Sequence, residues 1–125
     1  MSTEPYRSSF APSSTMWVVQ RVTAAFLIVV LAFHFFQLHF VEHAWEIDFA
    51  GTQARMSSIT YFTTMVLFLL TATIHGVNGV YNALVNQGLS GQPRRVLKWV
   101  LVIASAVLVL QGIRVALVMA GFTSP

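Results

Sequence analysis

Three long apolar runs, separated by short polar segments, set the pattern of the chain. The first, about 17–40 (WVVQRVTAAFLIVVLAFHFFQLHF), is long enough at ~1.5 Å per residue to cross a ~30 Å hydrocarbon layer as a helix. The segment VEHAWEIDFAGTQAR follows with Glu42, Glu46, Asp48, Trp45 and Gly51, a polar composition with an aromatic that suits a loop in the headgroup zone. A second run covers about 57–85, with Ser57 or Ser58 as its N-cap and Gly88 as its stop. Pro93 stands near the start of the third run, about 94–121, and a tail at 122–125 ends the chain. Residues 1–16 are rich in Ser, Thr and Pro and lack the basic start and apolar middle of a secretory signal, so they are expected to be a retained polar arm. The fold class expected is all-α and integral to the membrane, three transmembrane helices forming part of a multi-subunit bundle.

Composition agrees. Only 9% of the 125 residues are charged and the mean hydropathy is +0.71, whereas a soluble domain carries about 25% charged residues. The absence of Cys and of a Gly period excludes a disulfide scaffold and a collagen-like fibre. None of the four acids lies inside an apolar run, which argues against a carboxylate-driven proton pump. The net charge of +3 comes from seven Lys and Arg that form no basic stripe, so no nucleic acid partner is expected. Arg7, Arg21, Arg94, Arg95 and Lys98 gather on one side, while Arg55 on the other stands beside three acids. The positive-inside rule then predicts a cytoplasmic N-terminus and an outer C-terminus. Without a transit peptide, a prokaryotic plasma membrane is the expected location. Trp17, Trp45 and Trp99 fall near the predicted interfaces as belt anchors.

Chemistry concentrates on the second span. At about 100° per residue, Thr60, Thr64, Thr71, His75, Asn78, Gly79, Asn82 and Asn86 share one arc, and such a stripe must face a bundle, a cofactor or a cavity. His75 at its centre has two readings: an axial ligand of haem iron, with Gly79 one turn on allowing a flat macrocycle to approach, or a bundle-facing histidine bonded to Thr or Asn. On the first span, His34 shares a face with Gln20, Thr23 and Gln37, while His39 lies nearly opposite and close to the membrane edge. His43 falls in the loop. His34 and His75 differ in predicted height by roughly 15 Å, too far to clasp one haem between them. Either they serve two stacked haems, each completed by another subunit, or His34 is structural. Arg114, deep in the third span, is expected to snorkel outward or to meet a propionate.

These residues carry a resemblance. The segment HGVNGVYNALVNQ, His75 to Gln87, resembles the haem-bearing second helix of the small hydrophobic, cytochrome b type membrane-anchor subunit of succinate dehydrogenase (succinate:quinone oxidoreductase, complex II), in which a His is followed four residues later by Gly. The three-span layout, the length and QRVTA around Arg21 are similar too, and AFHFFQLHF and FAGTQARM look most like archaeal-type anchors. The resemblance implies a subunit with no succinate chemistry of its own, partnered by a second anchor, an iron–sulfur subunit and a flavoprotein subunit. It implies His75 as an axial haem b ligand, Arg21 as a candidate for the haem propionates or a lipid phosphate, and His34 as a candidate second haem ligand. Many members place an Asp-Tyr pair at the quinone edge where this chain has Asn86 and Gln87, which can hydrogen-bond a quinone carbonyl but offer no phenol. Arg94, Arg95 and Lys98 are expected to meet lipid phosphates or the iron–sulfur subunit. Two rival classes remain: a haem-free structural or assembly subunit of another membrane complex, and a small transporter.

Overall fold

The computed structural model describes residues 15–124, and every regular element among them is helical. α1 spans Thr15–Phe36 and runs on into a π-helical turn at Gln37–Val41, closed by Glu42 N donating to Gln37 O at 2.9 Å. α2 is Phe49–Met56, α3 Ile59–Asn86 and α4 Gly91–Met119. α1 with its π turn, α3 and α4 are each long and apolar enough to cross a membrane, so this is an integral membrane protein with three spans among the described residues.

The spans end as their sequences direct. After α3, Gly88 adopts φ 98° and Leu89 N returns to Leu84 O at 3.2 Å, the closure that a glycine in the left-handed region allows. Gly121 closes α4 in the same way at φ 77°, with Phe122 N donating to Leu117 O at 2.9 Å. Two expectations need correction. The third helix begins at Gly91, three residues before the predicted start, because Pro93 needs no amide hydrogen in a first turn. The segment between the first two spans is no simple loop: Asp48 accepts from Gly51 N at 2.7 Å and caps α2, whose Arg55 pairs with Glu42 at 3.2 Å. Most of the arm predicted at 1–16, with Glu4 and Arg7, lies outside the described residues, as does Pro125.

α3 is the central helix. α1 packs along one side of it and α4 along another, while α1 and α4 do not pack on each other among the described residues. Only Val30, Met56 and Ala116 are buried there, and large apolar side chains from Val18 to Leu110 are exposed. In lipid such exposure carries no hydrophobic penalty, so helix association rests on close packing and on polar bonds. Gly112 of α4 supplies the packing: a Cβ there would lie 2.6 Å from Leu69 Cδ2 of α3. Ala116, one turn on, is buried, which completes a small-residue face on α4. The polar bonds lie on the α1 side.

Candidate functional site

The polar stripe on α3 turns toward α1. One helical repeat of α1 brings Gln20 and Thr23 to the same face, one turn apart, where they meet His75. Thr23 Oγ1 is 3.0 Å from His75 Nδ1, and Gln20 Nε2 is 3.4 Å from His75 Nε2. The same Gln20 amide nitrogen donates to His75 O at 3.3 Å. Asn78 Nδ2 donates to Gln20 Oε1 at 2.6 Å, and Asn82 Nδ2 donates to Asn78 Oδ1 at 3.0 Å. A continuous polar seam, Asn82–Asn78–Gln20–His75–Thr23, therefore joins the two helices at the end that carries Lys98. Each of these five residues is half-buried. Gly79 faces this seam too: a Cβ on it would come within 3.4 Å of the Gln20 amide nitrogen.

Could these residues hold a haem? The imidazole is anchored through Nδ1, while Nε2 meets only a primary amide at the long end of hydrogen-bond range, an amide that Asn78 and His75 O also hold. A half-buried imidazole with one fixed and one loosely held nitrogen suits an axial ligand. Among the described residues no group of three or more His, Cys, Asp or Glu could hold a bare metal ion. A haem needs no such group, since its macrocycle supplies the equatorial ligands.

The other candidate residues are dispersed. Arg21, next to Gln20, is exposed and places its guanidinium 5.2 Å from the centre of the Trp17 ring, with no hydrogen bond to the His75 seam. His34 meets α3 near the opposite end, where Tyr61 Oη is 3.4 Å from its Nδ1. Eleven residues of α1 separate Thr23 from His34, a rise of about 16 Å, so the two histidines stand at different heights as the sequence predicts. His39 is exposed, stacked on Phe35 at 4.1 Å, and His43 stacks on Trp45 at 5.1 Å. Arg114 is exposed on α4.

Among the described residues, cavities lie on two sides of α3. One of about 430 Å³, near the α2 end, is lined by Phe33, Gln37, Ser58, Thr60, Tyr61 and Thr64, and Gln37 Oε1 beside it is buried without a partner. The larger, about 680 Å³, opens between the ends of α1 and α4 and is lined among others by Met16, Asn78, Tyr81, Asn82, Lys98 and Ser105. Asn86 and Gln87 do not line it; Gln87 is the exposed C-cap of α3. Tyr81, which no sequence motif marks, does line it, and Arg94 Nε donates to its oxygen at 2.8 Å. Its signal was one of position, 60° from Asn78 at the margin of the polar arc.

A family model described as the succinate dehydrogenase/fumarate reductase transmembrane subunit matches residues 2–113 of the chain. The match does not separate archaeal-type members from others. No curated protein matches the chain.

Proposed function

Because the chain belongs to the family of succinate dehydrogenase/fumarate reductase transmembrane subunits, and so works in the membrane with the other subunits of such a complex, we propose that it is an anchor that shares haem b with a sister anchor and borders the quinone site. One observation carries this reading: within a chain of that family, His75 is turned into a half-buried seam with Nδ1 anchored and Nε2 only loosely engaged. The exposed apolar flanks of α1 and α4, which do not pack on each other, leave room for a second subunit against α3. The flavin and iron–sulfur centres belong to the soluble partners, and this subunit does no succinate chemistry.

His75 Nε2 would hold the iron of a haem that this chain would share with the sister anchor. When bound, the haem supplies a one-electron store in the path toward quinone. Arg21, exposed one residue from the seam, is the side chain proposed for a propionate or lipid phosphate. His34 is proposed as a ligand of a second haem nearer the other face. By the positive-inside rule, the end bearing Arg94, Arg95 and Lys98 faces the cytoplasm. The quinone head is proposed to enter the cleft beside Asn78, Tyr81, Asn82 and Lys98, with Asn86 and Gln87 at its outer edge. There Tyr81 provides the phenol that Asn86 and Gln87 lack. Arg94 donates to the Tyr81 oxygen, so the phenolic hydrogen is free to donate to a quinone carbonyl.

Three results test the reading. An affinity-tagged chain solubilised from its native membrane is expected to bring down flavin, acid-labile sulfur and a b-type reduced-minus-oxidised spectrum. Replacing His34 with Ala is expected to remove half of the haem per complex; full haem retention would make His34 structural. Tyr81→Phe is expected to lower succinate-driven quinone reduction about tenfold, the worth of one hydrogen bond, while electron transfer to a soluble dye stays at the wild-type rate. Equal loss in both assays would place the effect in assembly and count against the quinone assignment.

A further inference from the structure

The hydrogens around His75 can be counted. Thr23 Oγ1 lies 2.7 Å from Val19 O, 3.2 Å from Gln20 O and 3.0 Å from His75 Nδ1. A hydroxyl has one hydrogen, and a backbone carbonyl oxygen can only accept. The shortest contact takes that hydrogen, so Thr23 meets Nδ1 with a lone pair, and the contact is a bond only when Nδ1 carries the proton.

The other nitrogen leads to the same tautomer independently. Gln20 donates to His75 O, which fixes which end of its amide is nitrogen, and Asn78 donating to Gln20 Oε1 agrees. The amide N–H₂ therefore faces His75 Nε2, and a donor there requires a lone pair on the ring nitrogen. Both neighbours specify an imidazole with hydrogen on Nδ1 and an available electron pair on Nε2, the form in which histidine binds a metal.

We propose that Thr23 is a positioning residue for His75: its hydroxyl oxygen holds the Nδ1 hydrogen, fixes the tautomer and ring orientation, and presents Nε2 to the haem iron. The inference rests on the haem reading above and assigns a role to a side chain that never touches the haem. At 3.0 Å the Thr23 bond is the firm one, and the Gln20 amide at 3.4 Å is the contact that yields when iron arrives. Gly79 lies beside that amide, and a Cβ on it would stand 3.4 Å from the nitrogen, at van der Waals contact. Accepting a hydrogen from Nδ1 also makes Nε2 a stronger donor, which favours the oxidised iron.

The experiment uses the purified complex with Thr23 replaced by Val, which keeps the shape and removes the oxygen, and by Ser, which restores it. Haem release is followed by transfer to a haem-free acceptor globin, and the haem midpoint potential by redox titration. Thr23→Val is expected to weaken haem retention about 10- to 100-fold and to raise the midpoint, while Thr23→Ser returns both toward wild type. Thr23→Ala removes the same oxygen and serves if the Val complex does not assemble. Wild-type retention and potential in Thr23→Val, alongside haem loss in His75→Ala, would overturn the role of Thr23 alone. Full haem retention in His75→Ala would overturn the ligand assignment beneath it.

Discussion

Replacing His75 with Ala is expected to abolish a b-type haem from the purified complex while the complex still assembles with its soluble subunits. The expectation follows from what the ring does in the seam. As packing alone, His75 contributes two side-chain contacts, to Thr23 and to Gln20. Interhelical bonds of this kind are each worth about 0.6 kcal/mol in a membrane, so a purely structural histidine would cost roughly 1 kcal/mol and leave any pigment in place. As an axial ligand its loss removes the bond that holds the iron. His75→Gln separates the two cases, since an amide can keep the seam hydrogen-bonded but is a poor substitute for imidazole. Haem absorbance of the Ala and Gln variants, normalised to flavin, reads the difference. Equal loss in both supports ligation, and a Gln variant that behaves as wild type supports packing.

The second large effect belongs to the other side of α3. Gly112→Leu is expected to lower the stability of the assembled complex by about 1–3 kcal/mol, the usual cost of overpacking a tight contact. A Cβ alone would meet Leu69 Cδ2 at 2.6 Å and Cδ1 at 3.2 Å. Those atoms are the end of a flexible side chain, so Gly112→Ala is expected to be mild. A full leucine has no such escape. Because α4 packs on α3 and α2 and not on α1, the loss is not offset elsewhere in the spans. Thermal inactivation of the detergent-solubilised complex measures it. The double variant Gly112→Leu with Leu69→Ala is expected to recover much of the loss, because the two sites share one space. Additive losses would show that the contact is not the cause.

Much of this arrangement is legible in the residues. Hydropathy and length alone define three spans, and the 100° wheel places Gln20 and Thr23 on one face and His75, Asn78 and Asn82 on another. It does not say that the two faces meet. That pairing depends on how α1 crosses α3, which no periodicity encodes. The segment now seen as α2 is polar and only eight residues long, so no hydrophobic stripe marks it. Its signal is local, an Asp48 placed to cap the helix that follows. The π turn at Gln37–Val41 has no sequence signature at all, since its residues suit an α-helix equally well. Gly112 and Ala116 sit four apart in a run of Val and Leu, a spacing that points to close helix contact but not to its partner. Tyr81 stayed hidden because its oxygen is held by Arg94, which only the turn between α3 and α4 brings near.

The family accounts for the membrane location and for the company of other subunits, and the haem is the proposal that the His75 seam supports. The most direct test is axial-ligand spectroscopy, near-infrared magnetic circular dichroism of the oxidised complex with haem quantified per flavin. The wild-type complex is expected to show haem with imidazole ligation, and His75→Ala is expected to lose the half of that signal that belongs to the haem His75 holds. An intact complex that oxidises succinate and reduces quinone while containing no haem would contradict the assignment and leave His75 as a packing residue.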